Sequence, residues 1–115
     1  MKPGDVLLTS MPQADGSQKS RPVLLLCTIP PFADFLVCGI TTQLSNATAG
    51  LDEIVANSDS DFQSSGLKTA SLIRTGYLAL LPATRFKGRI GSVAESRRKR
   101  LVTALARFLQ NAAGL

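Results

Sequence analysis

Apolar residues fall into short runs separated by turn formers along most of this chain, and only the C-terminal segment departs from that pattern. Val6-Leu7-Leu8-Thr9 follows the turn residues Pro3-Gly4-Asp5 and reads as a first strand. Met11 to Ser20 is a polar loop, with Asp15-Gly16 as its tight turn. Arg21 to Thr28 carries the unbroken apolar run Val23–Cys27, which predicts a strand buried on both faces. Pro22 has no amide to donate and fixes its own φ, so it suits the first position of that strand. The chain turns through Ile29–Asp34, and Phe35 to Thr41 is the third strand. Leu51–Val55 reads as a short edge strand, and the small polar stretch Asn57–Gly66 as an exposed, mobile loop. Thr69–Ile73 and Tyr77–Leu81 predict two strands on either side of Gly76, and Phe86–Val93 a last one with bulges at Gly88 and Gly91.

Beyond that point the spacing becomes helical. Leu101, Leu105, Phe108, Leu109 and Ala112 share one face, Ser92-Val93-Ala94-Glu95 fits a capping box, and Gly114 can end the helix. Arg97-Arg98-Lys99-Arg100 lies inside it. Successive side chains fan out by about 100°, so these four make no single binding face and read as a solvated turn and a half. The fold class expected is mainly β (α+β): a small, strongly bent antiparallel barrel with a C-terminal amphipathic helix packed on it, in one domain spanning 1–115.

Composition narrows the chemistry. Thirteen Lys and Arg against eight Asp and Glu leave +5, which favours an anionic partner, with nucleic acid the commonest. Histidine is absent, so no imidazole serves as base, acid or metal ligand. Cys27 and Cys38 form no metal-binding spacing and read as two buried, reduced thiols with no part in activity. The only apolar run near the start is far too short for a signal peptide, and none approaches membrane-spanning length. A soluble, cytoplasmic protein is expected.

Three polar groups adjoin apolar strands: Arg21 before the second, Thr41 after the third, and Arg74 beside Gly76. If the second and third strands form a hairpin about Ile29–Asp34, Arg21 and Thr41 meet at the end away from the turn.

Five short motifs then recur in order: Gly4-Asp5-Val6; Ser20-Arg21-Pro22-Val23-Leu24; Ile40-Thr41-Thr42; Gly66-Leu67 with Ser71; and Arg89-Ile90-Gly91 before the helix. Together they resemble the MazF/PemK family of toxin–antitoxin toxins over nearly the whole chain. The resemblance implies an SH3-like barrel, shared by MazF, Kid and CcdB, that forms a homodimer and cleaves single-stranded RNA without a metal or other cofactor. The products would be a 2′,3′-cyclic phosphate and a 5′-hydroxyl, and a cognate acidic antitoxin would block the groove.

By the same resemblance Arg21 serves in proton transfer and phosphate stabilisation, Thr41 hydrogen-bonds the scissile phosphate, and Arg74 is the general acid. Ser17, Gln18 and Lys19 of the first loop, with Thr42 and Gln43, are the candidate RNA contacts. The chain also departs from the pattern. Gly76 stands where the Kid-type branch has a catalytic aspartate, Ala79-Leu80 where it has Arg-Thr, and the shortened first loop lacks its Gly-Gly. Asp15 and Glu53 are conventional substitutes for the missing base, though nothing in the sequence places either at the site. The competing readings are a non-catalytic RNA- or protein-binding module and a CcdB-type toxin acting on a topoisomerase.

Overall fold

The computed structural model describes residues 1–12 and 14–115, with the side chains of Met11 and Pro12 left aside. Six strands, β1 (Asp5–Pro12), β2 (Gln18–Ile29), β3 (Asp34–Thr41), β4 (Glu53–Val55), β5 (Ser71–Leu81) and β6 (Arg89–Ser92), form one antiparallel sheet. Their order is β4-β5-β3-β2-β1-β6, the sheet curls into a half-barrel, and one helix, α1 (Glu95–Ala112), follows. No helix among the described residues is long and apolar enough to cross a membrane.

The run Val23–Leu26 is buried on both faces, as its composition predicts. Leu24 and Leu26 face a core with Cys38, Ile40 and Ile73, closed by Leu101 and Leu105 of α1. Val23 and Leu25 face the other way, into a second cluster with Leu7, Val37 and the stacked rings of Phe35 and Phe86, 5.4 Å apart. The helix therefore covers one face of the sheet. The other face is sealed by Phe35 and Phe86 near the β2–β3 turn.

Several expectations are corrected. β1 and β2 pair as far as Pro12 and Gln18, so the loop expected over 11–20 is much shorter; Gln13 lies outside the described residues. Thr69–Ile73 and Tyr77–Leu81 belong to one strand rather than two, because β5 continues through Gly76 as an irregularity in its pairing with β3. The last strand is only Arg89–Ser92. Cys27 is half-buried, Cys38 is buried, and both are free thiols. Burial pushes the Cys38 thiol up to about 12, so it stays protonated and unreactive.

The capping box does not form. Ser92 stays in β6, Ala94 is the N-cap, and the Ala94 amide donates instead to Asp61 Oδ2 at 3.0 Å. The same carboxylate explains why Arg97 is buried rather than solvated. All five guanidinium N–H groups of Arg97 have acceptors: Asp61 twice (2.8 and 3.0 Å), Glu53 (3.0 Å), Asp59 (3.0 Å) and the Ile54 carbonyl (3.1 Å). The segment 57–66 is thus a pinned strap rather than a mobile loop. It also lies so close to β6 that a Cβ at Gly91 would fall 2.3 Å from the Ser64 carbonyl oxygen.

The Arg97 hydrogen bonds hold the Asp61 carboxyl at about 2, below its ordinary value. A carboxylate lowered on folding stabilises the folded state above its unfolded pKa and loses that contribution as pH falls through its folded one. On the order of 2 kcal/mol is therefore expected to disappear between about pH 4 and pH 2. Urea unfolding across that range checks this; a midpoint independent of pH would contradict it.

Candidate active site

At the end of the second face away from Phe35 and Phe86, the sheet is left open, and a cleft of about 330 Å³ sits there. Strand alternation sets its walls. Arg21 shares a face of β2 with Val23 and Leu25, Thr41 and Gly39 share a face of β3 with Val37, and Arg74 lies opposite the core-facing Ile73. The pairing of Val23 with Gly39 and of Gly39 with Arg74 aligns the three strands here. Extending the β2–β3 register by two residues sets Arg21 opposite Thr41, as the hairpin argument requires.

Arg21, Thr41 and Arg74 all line the cleft, and so do Thr42 and Gln43. Ser17, Gln18 and Lys19 do not. They are exposed beside it, Gln18 and Lys19 already in β2, with Gln18 Oε1 accepting from the Ser10 hydroxyl at 3.0 Å. Thr41 is half-buried, and its hydroxyl oxygen accepts from the Gln43 amide at 3.2 Å. That bond orients the hydroxyl and leaves its proton to donate to an anionic oxygen.

Arg74 owes its position to an insertion in β5. Cys38 pairs with Leu78 and Gly39 with Arg74, so Thr75, Gly76 and Tyr77 are extra residues opposite a single step of β3. Thr75 is fully buried and anchors them: its amide donates to Asp52 Oδ1 at 3.0 Å and its hydroxyl to the Leu51 carbonyl at 2.7 Å. Asp52 is held in turn by the Thr48 amide at 2.9 Å on Oδ2.

Tyr77 also lines the cleft, 40% exposed, with the Arg74 guanidinium carbon 5.9 Å from its ring centroid. The sequence signal that could have found it is Gly39, whose missing side chain leaves room for that ring.

The conventional bases are elsewhere. Glu53 is bound to Arg97 and to Arg100, the latter through two contacts of 2.9 Å. Asp15 accepts from the amide and hydroxyl of Ser17, which lowers its proton affinity, and it does not line the cleft. The site is therefore two guanidiniums, one oriented hydroxyl and one phenol ring around a groove. Such a set can grip a phosphate and stabilise charge developing on it.

A family model described as the PemK-like, MazF-like toxin of type II toxin–antitoxin systems matches residues 2–109. Comparison with curated proteins gives no match. Among solved structures, the Mycobacterium tuberculosis toxin MazF-mt6 superposes with a TM-score of 0.64 at 23% identity, covering 96% of this chain and 97% of that one. An endoribonuclease in complex with its cognate antitoxin, from a mycobacterial species, gives 0.62 at 17% identity, covering 100% of this chain and 96% of that one. At these identities the likeness establishes the shared fold.

Proposed function

The chain belongs to the PemK-like, MazF-like toxins of type II toxin–antitoxin systems, and from that premise we propose that it is a metal-independent endoribonuclease cutting single-stranded RNA in the cleft between β2, β3 and β5. The observation that carries the reading is the convergence of Arg21, Thr41 and Arg74 on one groove. RNA supplies its own nucleophile. The 2′-oxygen bonds to phosphorus as the bond to the 5′-oxygen breaks, leaving a 2′,3′-cyclic phosphate and a 5′-hydroxyl. Thr41 and the two guanidiniums donate to the dianionic phosphorane, and one such donor is worth roughly 10²–10³ in rate. Arg21 takes part in carrying off the 2′ proton, the role it has by resemblance to the family, and Arg74 gives a proton to the departing 5′-oxygen. Thr42 and Gln43 extend the contact along the strand.

Residues 1–115 act as one domain, in the cytoplasm, as a homodimer whose mass light scattering would measure. The exposed Phe108 and Leu109 of α1 are apolar surface that a second copy can cover. The inhibiting partner is a cognate acidic antitoxin, consistent with the basic charge of +5 and with the complex that the mycobacterial endoribonuclease forms.

Incubation with a long single-stranded RNA in EDTA, followed by mapping of the ends, tests the reading. Discrete cuts are expected. Retention of RNA without cuts would indicate a binding module, and neither binding nor cuts would favour a protein target such as a topoisomerase.

A further inference from the structure

We propose that Tyr77 is the base-reading element of this cleft: its ring stacks on one unpaired nucleobase beside the scissile phosphate while keeping Arg74 aimed at that phosphate. The inference rests on the ribonuclease reading and adds to it a residue that selects where the strand is cut.

Four observations carry it. The three-residue insertion in β5 returns the chain to the cleft immediately after Arg74, so that Tyr77 and Arg74 flank one groove. The insertion is rigid, because Thr75 is buried and held by Leu51 and Asp52. The ring rests on the backbone of β3: a Cβ at Gly39 would lie 3.3 Å from Tyr77 Cδ1 and 3.4 Å from Cγ. Finally, Tyr77 belongs to neither core cluster and is 40% exposed, with a cation above its ring. A large aromatic held rigidly at the surface of a cationic groove is poorly explained by packing. It matches the way proteins bind unpaired RNA, by stacking splayed bases on aromatic faces and bonding the backbone with cations.

Tyr77 is the chain's sole tyrosine and there is no tryptophan, so the intrinsic emission of the protein reports this ring alone. The probe is a short single-stranded RNA spanning a mapped cut, with 2′-fluoro substitution throughout to remove the nucleophile. Titration is expected to quench the emission saturably, after correction against free tyrosine. Replacing one nucleotide next to the cut by an abasic residue should abolish the quench and weaken binding about 10- to 100-fold.

In cleavage assays Tyr77→Leu should raise KM by a similar factor and spread the cuts over more sequences at an unchanged melting temperature. Tyr77→Phe, which keeps the ring, should recover most of that loss. Binding seen by anisotropy with unchanged tyrosine emission, or an unaltered cut pattern in Tyr77→Leu, would overturn the proposal and leave the ribonuclease reading standing. An oligonucleotide that does not bind at all would likewise overturn the proposal, and a long RNA left uncut in EDTA would overturn the ribonuclease reading and the proposal with it.

Discussion

Arg21→Lys is expected to keep most RNA binding while losing cleavage by roughly 10²–10³-fold, the effect of removing one fixed donor to the phosphorane. Lysine preserves the charge but not the planar fork that presents paired donors to phosphate oxygens. Arg21→Ala should lose cleavage as completely and also weaken binding by about 10- to 100-fold, since a charge-assisted hydrogen bond contributes ~1.5–3 kcal/mol. Thr41→Val removes one hydroxyl donor from a half-buried site at nearly constant shape, so it should slow cleavage with little change in binding or melting temperature. Single-turnover rates on a short RNA, with melting temperatures for each variant, check the set. If Arg21 were only a structural ion-pair partner, Arg21→Lys would be close to silent and Arg21→Ala would lower stability and activity together.

The largest effect on stability is expected at Arg97. Removing this guanidinium strands the buried Asp61 carboxylate and leaves Glu53, Asp59 and the Ile54 carbonyl each short of a donor. Breaking a buried pair from one side costs ~3–5 kcal/mol, so Arg97→Ala should unfold at much lower urea concentration than the parent. Arg97→Lys should recover only part of that, because three rotatable donors cannot serve five acceptors. The neighbouring Arg100 is more than half exposed and pairs with Glu53, so Arg100→Ala is the control, expected to cost under about 1 kcal/mol. Equal losses in Arg97→Ala and Arg100→Ala would contradict this account.

The contrast between Arg21 and Arg97 marks what the sequence could and could not carry. The β2–β3 pairing was legible because Val23–Leu26 is an unbroken apolar run, buried on both faces, and the register shifts only between Leu25 and Cys27, away from the site, so Arg21 and Thr41 followed from it. The role of Arg97 was not, because its acceptors arrive from a strap and a strand some 36 to 44 positions earlier in the chain. Local pattern made it one of four solvated cations. The capping box failed for the same reason: Asp61 reaches the Ala94 amide and Ser92 is already committed to β6. Arg74 was placed beside Gly76, but the insertion that aims it depends on Thr75 bonding to Leu51 and Asp52, a contact that no propensity encodes. Tyr77 sits in an expected strand, where core packing is the default for a tyrosine, and only the step in register across Gly39 turns it into the cleft.

The central claim is that this cleft cuts RNA with the substrate's own 2′-hydroxyl, held and polarised by Arg21, Thr41 and Arg74. The most direct measurement compares two short oligonucleotides identical but for one 2′-deoxy nucleotide on the 5′ side of a mapped cut, both in EDTA. The account predicts equal binding, cleavage of the all-ribose strand to a 2′,3′-cyclic phosphate and a 5′-hydroxyl, and no cleavage of the other. Cutting of the 2′-deoxy strand at that bond would contradict it.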